Sequence, residues 1–248
     1  MMSKDIKSLP KYISLVYGDI YNDIERCNSL DTRLSSNLRT FFQYGKLVSS
    51  TLHGIKQNSS VLQLGQVFGY EIDEVAQRVG AYGKYDVIDV NPFQVARNQE
   101  KYGHIYPCLN IYKQDAATLD IDSEYDSVIC FMLLQEVPST TKSKIINNAL
   151  RAVKPGGQVI FVDYHNPQVF HPLRYWVRMY NRLYHPFAEK LWDKGIETYA
   201  SKRTGFTWRK STYFGGMFQR LVATKKTGLI EQVLKEDNQS KSFDLSDF

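Results

Sequence analysis

Five short segments of this sequence carry residue types that can do chemistry, and each falls at or just after the end of a short apolar run. The first is Gln63-Leu64-Gly65-Gln66-Val67-Phe68-Gly69. Glycine there lets a chain leaving a strand turn tightly and approach a ligand closely. The helix that follows points its N-terminus, the positive end of its dipole, at that ligand. The second is Asp89, 24 residues beyond Gly65. An acid at the end of a second strand can accept both ribose hydroxyls of an adenosine. The third is Asp115-Ala116, where a carboxylate can meet an adenine amino group. Phe131-Met132-Leu133-Leu134-Gln135-Glu136 and Asp163-Tyr164-His165 complete the set. Alone, the G-x-x-x-G also fits a strand-to-helix turn without a ligand, and Asp89 fits a helix-capping acid. Together these groups fall at the C-terminal ends of consecutive strands, where open α/β sheets bind ligands.

The elements that must position them are legible from periodicity. Short apolar runs at 60–64, 84–90, 109–113, 125–131 and 158–164 read as strands. Helical patterns occupy about 71–79, Pro92 to about Tyr102, and 139–152. Their alternation predicts a parallel sheet with helices on both faces. Pro155-Gly156-Gly157 reads as a tight turn before the fifth strand. Gly215-Gly216, between two β-rich runs, reads as an antiparallel hairpin. Residues 11–57 read as helical, with a break around Cys27 to Asp31.

Composition narrows the classes. The 248 residues carry 31 Lys+Arg against 26 Asp+Glu, a net charge of +5. That balance lacks the concentrated patch that duplex binding needs, so no nucleic-acid partner is expected. Three cysteines rule out a disulfide framework and point to a reducing compartment. No uncharged apolar run approaches the roughly 20 residues of a membrane span. The first twenty residues lack the apolar core of a signal peptide and the pattern of a transit peptide.

The Gly-rich loop, the acid at Asp89, Asp115-Ala116, the Leu150-Arg151-Ala152-Val153-Lys154-Pro155-Gly156-Gly157 turn and the final hairpin resemble the class I S-adenosylmethionine-dependent methyltransferases over residues 35–225. The resemblance implies an α/β, Rossmann-like, seven-stranded sheet ending in an antiparallel hairpin. It assigns cofactor contacts to Gln63, Gly65, Val67, Gly69, Asp89, Val90, Asp115, Ala116 and Leu133. The chain departs from that pattern at Gln63, where an acid is usual, and at Val67, where a glycine is usual. A neutral Gln63 removes a negative charge near a cationic sulfonium.

With those departures, a narrower set of motifs is similar to the rhodoquinone biosynthesis family RquA. It comprises Val61-Leu62-Gln63 with Val67-Phe68-Gly69, Asp89 to Val95, Leu133 to Glu136, Asp163 to Pro167, and Pro186 to Trp192. That resemblance implies that the amino group of S-adenosylmethionine replaces a methoxy group of ubiquinone, assisted by a divalent metal, manganese in the family. Such chemistry needs a base to keep the amine neutral and a polarised quinone carbonyl. His165, Tyr164 and Glu136 are the catalytic candidates, with Asp163 and His165 as metal ligands. Asp163 as a loop cap and His165 as a surface histidine remain the simpler alternatives. Two other functions stay open: a quinone or small-molecule methyltransferase, and an inactive binding module.

The segment 166–192 is aromatic and basic. Leu173, Trp176, Val177, Tyr180, Leu183 and Tyr184 share one helical face, and Arg174, Arg178 and Arg182 share another. Such a helix suits an anionic membrane surface or the cover of an apolar pocket; a helix packed on its own sheet is the alternative. The expected location is cytoplasmic, peripheral to the inner membrane. The expected organisation is a helical cap over 1–57, a cofactor domain over 58–228 with an insertion at 166–203, and a disordered tail over 229–248.

Overall fold

A computed structural model describes residues 24–65, 68–184 and 187–228. The expectations for residues 1–23, Val67, His185, Pro186 and the tail lie outside these residues. Seven strands form one sheet: β1 Ser60–Leu64, β2 Lys84–Asp89, β3 Leu109–Lys113, β4 Tyr125–Phe131, β5 Val153–Tyr164, β6 Phe206–Tyr213 and β7 Phe218–Lys225. Their order is β3-β2-β1-β4-β5-β7-β6. The first five pair in parallel, and β7 pairs antiparallel with β5 and β6.

Helices α1 Ile24–Leu30, α2 Arg33–Arg39 and α3 Tyr44–Leu52 precede the sheet. Helices α4 Glu71–Val79, α5 Pro92–Tyr102 and α6 Ser139–Ala152 connect strands, and α7 Arg174–Tyr184 with α8 Ala188–Lys194 follow β5. Strand order runs one way through β1, β2 and β3, then reverses to β4. Right-handed crossovers therefore put α4 and α5 on one face and α6 on the other. Helix α3 packs on α4 and reaches β5 and β7.

Local chemistry sets these boundaries. Strand β1 buries Val61, Leu62, Gln63 and Leu64 completely, as a central parallel strand covered on both faces must. Pro92 starts α5, and the Asn91 side chain caps it by accepting from the Phe93 N–H at 3.0 Å. Helix α4 ends at Gly80, at φ +76°.

Two elements differ from expectation. Pro155-Gly156-Gly157 is an irregular stretch inside β5, not a turn before it. Tyr125 pairs with Val153 while Ser127 pairs with Gln158, so the three residues bulge out between the two pairings. The N-terminal helical run breaks twice. One break is at Asp31-Thr32, where the Thr32 hydroxyl caps α2 by accepting from Ser35 N–H at 3.1 Å. The other is at 40–43, where Phe41 and Phe42 adopt φ +51° and +60°. Two consecutive left-handed aromatic residues cost on the order of 1–3 kcal/mol each, so surrounding contacts must hold them. The Phe41 ring is held between Trp176 and Phe214, with centroids 5.8 and 5.9 Å away.

Candidate active site

The strand order reverses between β1 and β4, which opens a crevice at their C-terminal ends. Every candidate residue in the described chain lies along this edge or just beneath it. Gly65 leaves β1 at φ +80°, and a Cβ there would press on the Leu133 side chain at 3.2 Å. Leu133 thus forms the wall opposite Gly65, which brings two of the proposed cofactor residues together. Asp89 ends β2, partly exposed, and its Oδ1 accepts from the Asn91 N–H at 2.7 Å. Val90 follows it, also partly exposed. Asp115 caps a short 3-10 turn through the Ala117 N–H at 2.8 Å, and buried Ala116 is tied to α6 by Asn148, which donates to its carbonyl at 2.9 Å.

Gln63 stands elsewhere than its expected role suggests. It is wholly buried, and its amide donates to Gly65 O at 3.3 Å and to Glu71 Oε2 at 3.0 Å, while the Tyr85 hydroxyl donates to its Oε1. Gln63 therefore acts on the loop from beneath. Glu71 is the residue the sequence did not single out. Its carboxyl is buried and its Oε1 has no hydrogen-bond partner. Burial raises its pKa to about 8, against the Gln63 hydrogen bond that favours the anion. A carboxyl from the first residue of α4 thus lies one hydrogen bond from position 63.

Gly69 is at φ +123°, and a Cβ there would collide with the Tyr44 hydroxyl and lie 2.8 Å from Ser36 Oγ. This glycine admits the molecule's own N-terminal helices. The Tyr44 hydroxyl donates to Phe68 O at 3.1 Å and Ser36 Oγ does so at 3.3 Å. Asp31 Oδ1 accepts from the Gly69 N–H at 2.6 Å, while Oδ2 pairs with Arg97 at 2.5 Å and Lys101 at 2.7 Å. The Phe68 ring lies against the guanidinium groups of Arg39 and Arg97, 5.3 and 5.1 Å from its centroid. No sequence spacing signals these contacts, because they join segments more than twenty residues apart.

At the end of β4, Met132 adopts φ +53° and turns the chain into the 3-10 segment Leu134–Glu136. Glu136 keeps part of its surface in solvent, yet its carboxyl is ringed by protein. Burial, then the nearby Asp163, push its pKa well above the ordinary carboxylate range. Asp163 is buried beneath this turn. Its Oδ2 accepts from the Leu134 and Gln135 N–H groups at 2.9 and 3.3 Å, and its Oδ1 from the Tyr164 N–H at 2.8 Å. Burial raises its pKa to about 7 against those three bonds. Lys142 lies buried nearby and donates to Val137 O at 2.6 Å and Phe187 O at 2.9 Å. Burial lowers its pKa to about 8.

The Tyr164 hydroxyl donates to Arg39 O at 3.2 Å, which ties β5 to the N-terminal helices. His165 Nδ1 lies 2.9 Å from Gly216 O and so carries the hydrogen; Nε2 then accepts from Lys210 Nζ at 3.0 Å. Burial, with Lys210 as a further cause, lowers its pKa. Asp163 and His165 do not fit a manganese site. All the hydrogen bonds of one carboxylate go to backbone amides, and the imidazole's lone pair faces an ammonium. Among the described residues, no group of three or more His, Cys, Asp or Glu could hold a metal ion.

The three cysteines are buried and form no disulfide, and Cys130 packs in β4 as expected. No described helix is long and apolar enough to cross a membrane.

Residues 61–157 match the methyltransferase domain family. The O-methyltransferase family protein of Burkholderia thailandensis superposes with TM-score 0.64 at 13% identity, covering 91% of this chain and 69% of that one. An S-adenosylmethionine-dependent methyltransferase of Aquifex aeolicus gives TM-score 0.54 at 17% identity, covering 82% and 98%. This is the class I methyltransferase fold. In sequence, the chain is similar to the ubiquinone/menaquinone biosynthesis C-methyltransferase UbiE of Idiomarina loihiensis, 27% identical over 117 residues. The match covers 46% of each protein, so it spans about half the length of that relative.

Proposed function

We propose that this chain is an S-adenosylmethionine-dependent transferase whose acceptor is a lipophilic quinone, and that it converts ubiquinone to rhodoquinone by replacing a ring methoxy group with the cofactor's amino group. The observation that carries the transferase reading is the line of Asp89, Asp115 and Glu136 along the sheet edge at the β1/β4 crevice. Asp89 would accept from the ribose hydroxyls, Asp115 from the adenine amino group, and Gly65 with Leu133 would bracket the ligand. Bound S-adenosylmethionine would supply the amino group: its nitrogen bonds to the ring carbon, the methoxy group leaves that carbon as methanol, and the cofactor's own carbon–nitrogen bond breaks to release the aminoquinone. The remaining work falls to the chain. Glu136, whose pKa burial raises, can donate a proton to a quinone oxygen as negative charge builds on the ring. His165, held neutral with Nδ1–H fixed on Gly216, can take a proton at Nε2 once Lys210 moves aside. No step is assigned to a metal.

The quinone acceptor is supported by the similarity to the C-methyltransferase UbiE. Amino transfer is supported by the departures at Gln63 and Val67 and by the motif set that they share with the rhodoquinone family. Methyl transfer to a quinone is the second reading, favoured by that same curated relative. A ubiquinone-containing host expressing the chain, fed cofactor precursor labelled on nitrogen or on the methyl carbon, separates them. Nitrogen label in the quinone is the expected result. Label from methyl alone would replace the first reading with the second, and no label from either would refute both. The variant Asp89→Ala is expected to weaken cofactor binding at least tenfold by calorimetry, about 1.4 kcal/mol; unchanged affinity would remove the ribose assignment.

A further inference from the structure

At the C-terminal edge of the sheet, three segments distant in sequence converge. The Phe41 ring packs edge-on against Trp176 of α7 and stacks on Phe214 of the β6–β7 turn. His171 packs edge-on against Phe214, and the Gln168 N–H donates to Gly215 O at 2.9 Å. Around this junction large apolar side chains face solvent. On the N-terminal side they are Leu34, Leu38 and Phe42, the last 68% exposed; on the other side, Phe170 at 97% and Tyr175 at 84%, with Met179. Phe42 is turned outward by a left-handed backbone, φ +60°, whose N–H is anchored to Asn37 O at 2.6 Å. A strained turn that displays a phenylalanine needs a reason outside the molecule's own core.

The charged residues along these two segments are of one sign, with Arg39 turned onto the Phe68 ring and the Leu30 carbonyl. Residues 32–47 contain Arg33, Arg39 and Lys46, residues 166–182 contain Arg174, Arg178 and Arg182, and neither stretch contains an Asp or Glu. Apolar side chains rimmed by cations alone match an anionic lipid surface, with rings in the acyl boundary and guanidinium groups among phosphates. A second copy of the same face would bring like charges together. We propose that the α2–α3 turn and the 169–179 segment together form a docking surface for an anionic bilayer, with Phe42 and Phe170 as inserted side chains. Docked this way, the edge that carries Glu136 and His165 opens toward the membrane, so a lipophilic acceptor reaches it without crossing water. The proposal deepens the quinone reading and rests on it for the location of the acceptor.

The test needs no substrate. The full chain is sedimented with vesicles of phosphatidylcholine plus phosphatidylglycerol and with vesicles of phosphatidylcholine alone. It is expected to partition onto the mixed vesicles at least about tenfold better, and to be released by high salt. The double variant Phe42→Ser/Phe170→Ser is expected to lose about tenfold or more of that partition with an unchanged thermal midpoint. Tyr82→Ser, which alters a residue 91% exposed at the opposite sheet edge, is expected to behave as wild type. No partition of the wild type, equal partition of the double variant, or a dimer in solution that the double variant dissociates would overturn the proposal. A chain that docks but labels no quinone refutes the quinone reading alone. One that acts on detergent-dispersed quinone but ignores vesicles refutes the docking alone.

Discussion

At the scale of single residues, the buried pair Gln63 and Glu71 holds the most information. One amide nitrogen bridges the Gly65 carbonyl and the Glu71 carboxyl, so a change at either position is felt by the other. Gln63→Glu would set two carboxyls about a hydrogen bond apart in a buried site and leave Gly65 O without its donor. We expect a loss of about 2 kcal/mol or more in urea unfolding. Adding Glu71→Gln exchanges donor and acceptor and is expected to recover most of that loss, seen as a favourable coupling in the double-mutant cycle. Purely additive losses would show that the two side chains do not form a unit. Gln63 could be read from the sequence as a departure at the cofactor loop. Its partner could not, because Glu71 looks like an ordinary acid in the first turn of a helix, and only the fold buries it under β1.

At the scale of elements, the Gly-rich loop is held by helices that precede the sheet. Asp31, at the α1–α2 junction, accepts from Gly69 N–H while it pairs with two cations of α5. Asp31→Ala removes that acceptor and leaves Arg97 and Lys101 without their shared partner. Cofactor affinity is expected to fall about tenfold, measured by calorimetry, with a destabilisation of about 1–3 kcal/mol. On the other side of the crevice, Lys142 of α6 clamps the carbonyls of Val137 and Phe187. Lys142→Met keeps the apolar stem but leaves both carbonyls unpaired. It is expected to cost about 2–4 kcal/mol and to speed limited proteolysis within 166–203. Helix α7 was legible as amphipathic, and of its expected apolar stripe Leu173 packs on the core and Trp176 lies half-exposed against Phe41. Val177 is buried, whereas Tyr175 and Met179 face outward.

At the scale of the whole molecule, buried acids give stability a direction in pH. Glu71 and Asp163 hold their protons to about 8 and about 7 in the folded chain, above their ordinary values. The folded state therefore binds more protons than the unfolded state across the interval between those values. Stability is at its fullest below the ordinary carboxylate range and declines as pH rises toward 8. The thermal midpoint is expected to fall from pH 5 to pH 8, and Glu71→Gln, which mimics the neutral acid, is expected to flatten that slope. An unchanged slope in the variant would exclude Glu71 as its source. What the sequence by itself determined is the alternation of strands and helices, the closing hairpin and the succession of Gly65, Asp89 and Asp115. Those follow from periodicity, glycine and capping chemistry, all local within a few residues. What only the tertiary structure decided is which polar groups face the crevice. Asp163 proves to be tied to three backbone amides, His165 to Lys210 and Tyr164 to Arg39, while Asp31 holds the loop directly and the Glu71 carboxyl reaches it through Gln63. The reason is that burial and hydrogen-bond partners arise between segments far apart in the chain, and no spacing along it records them.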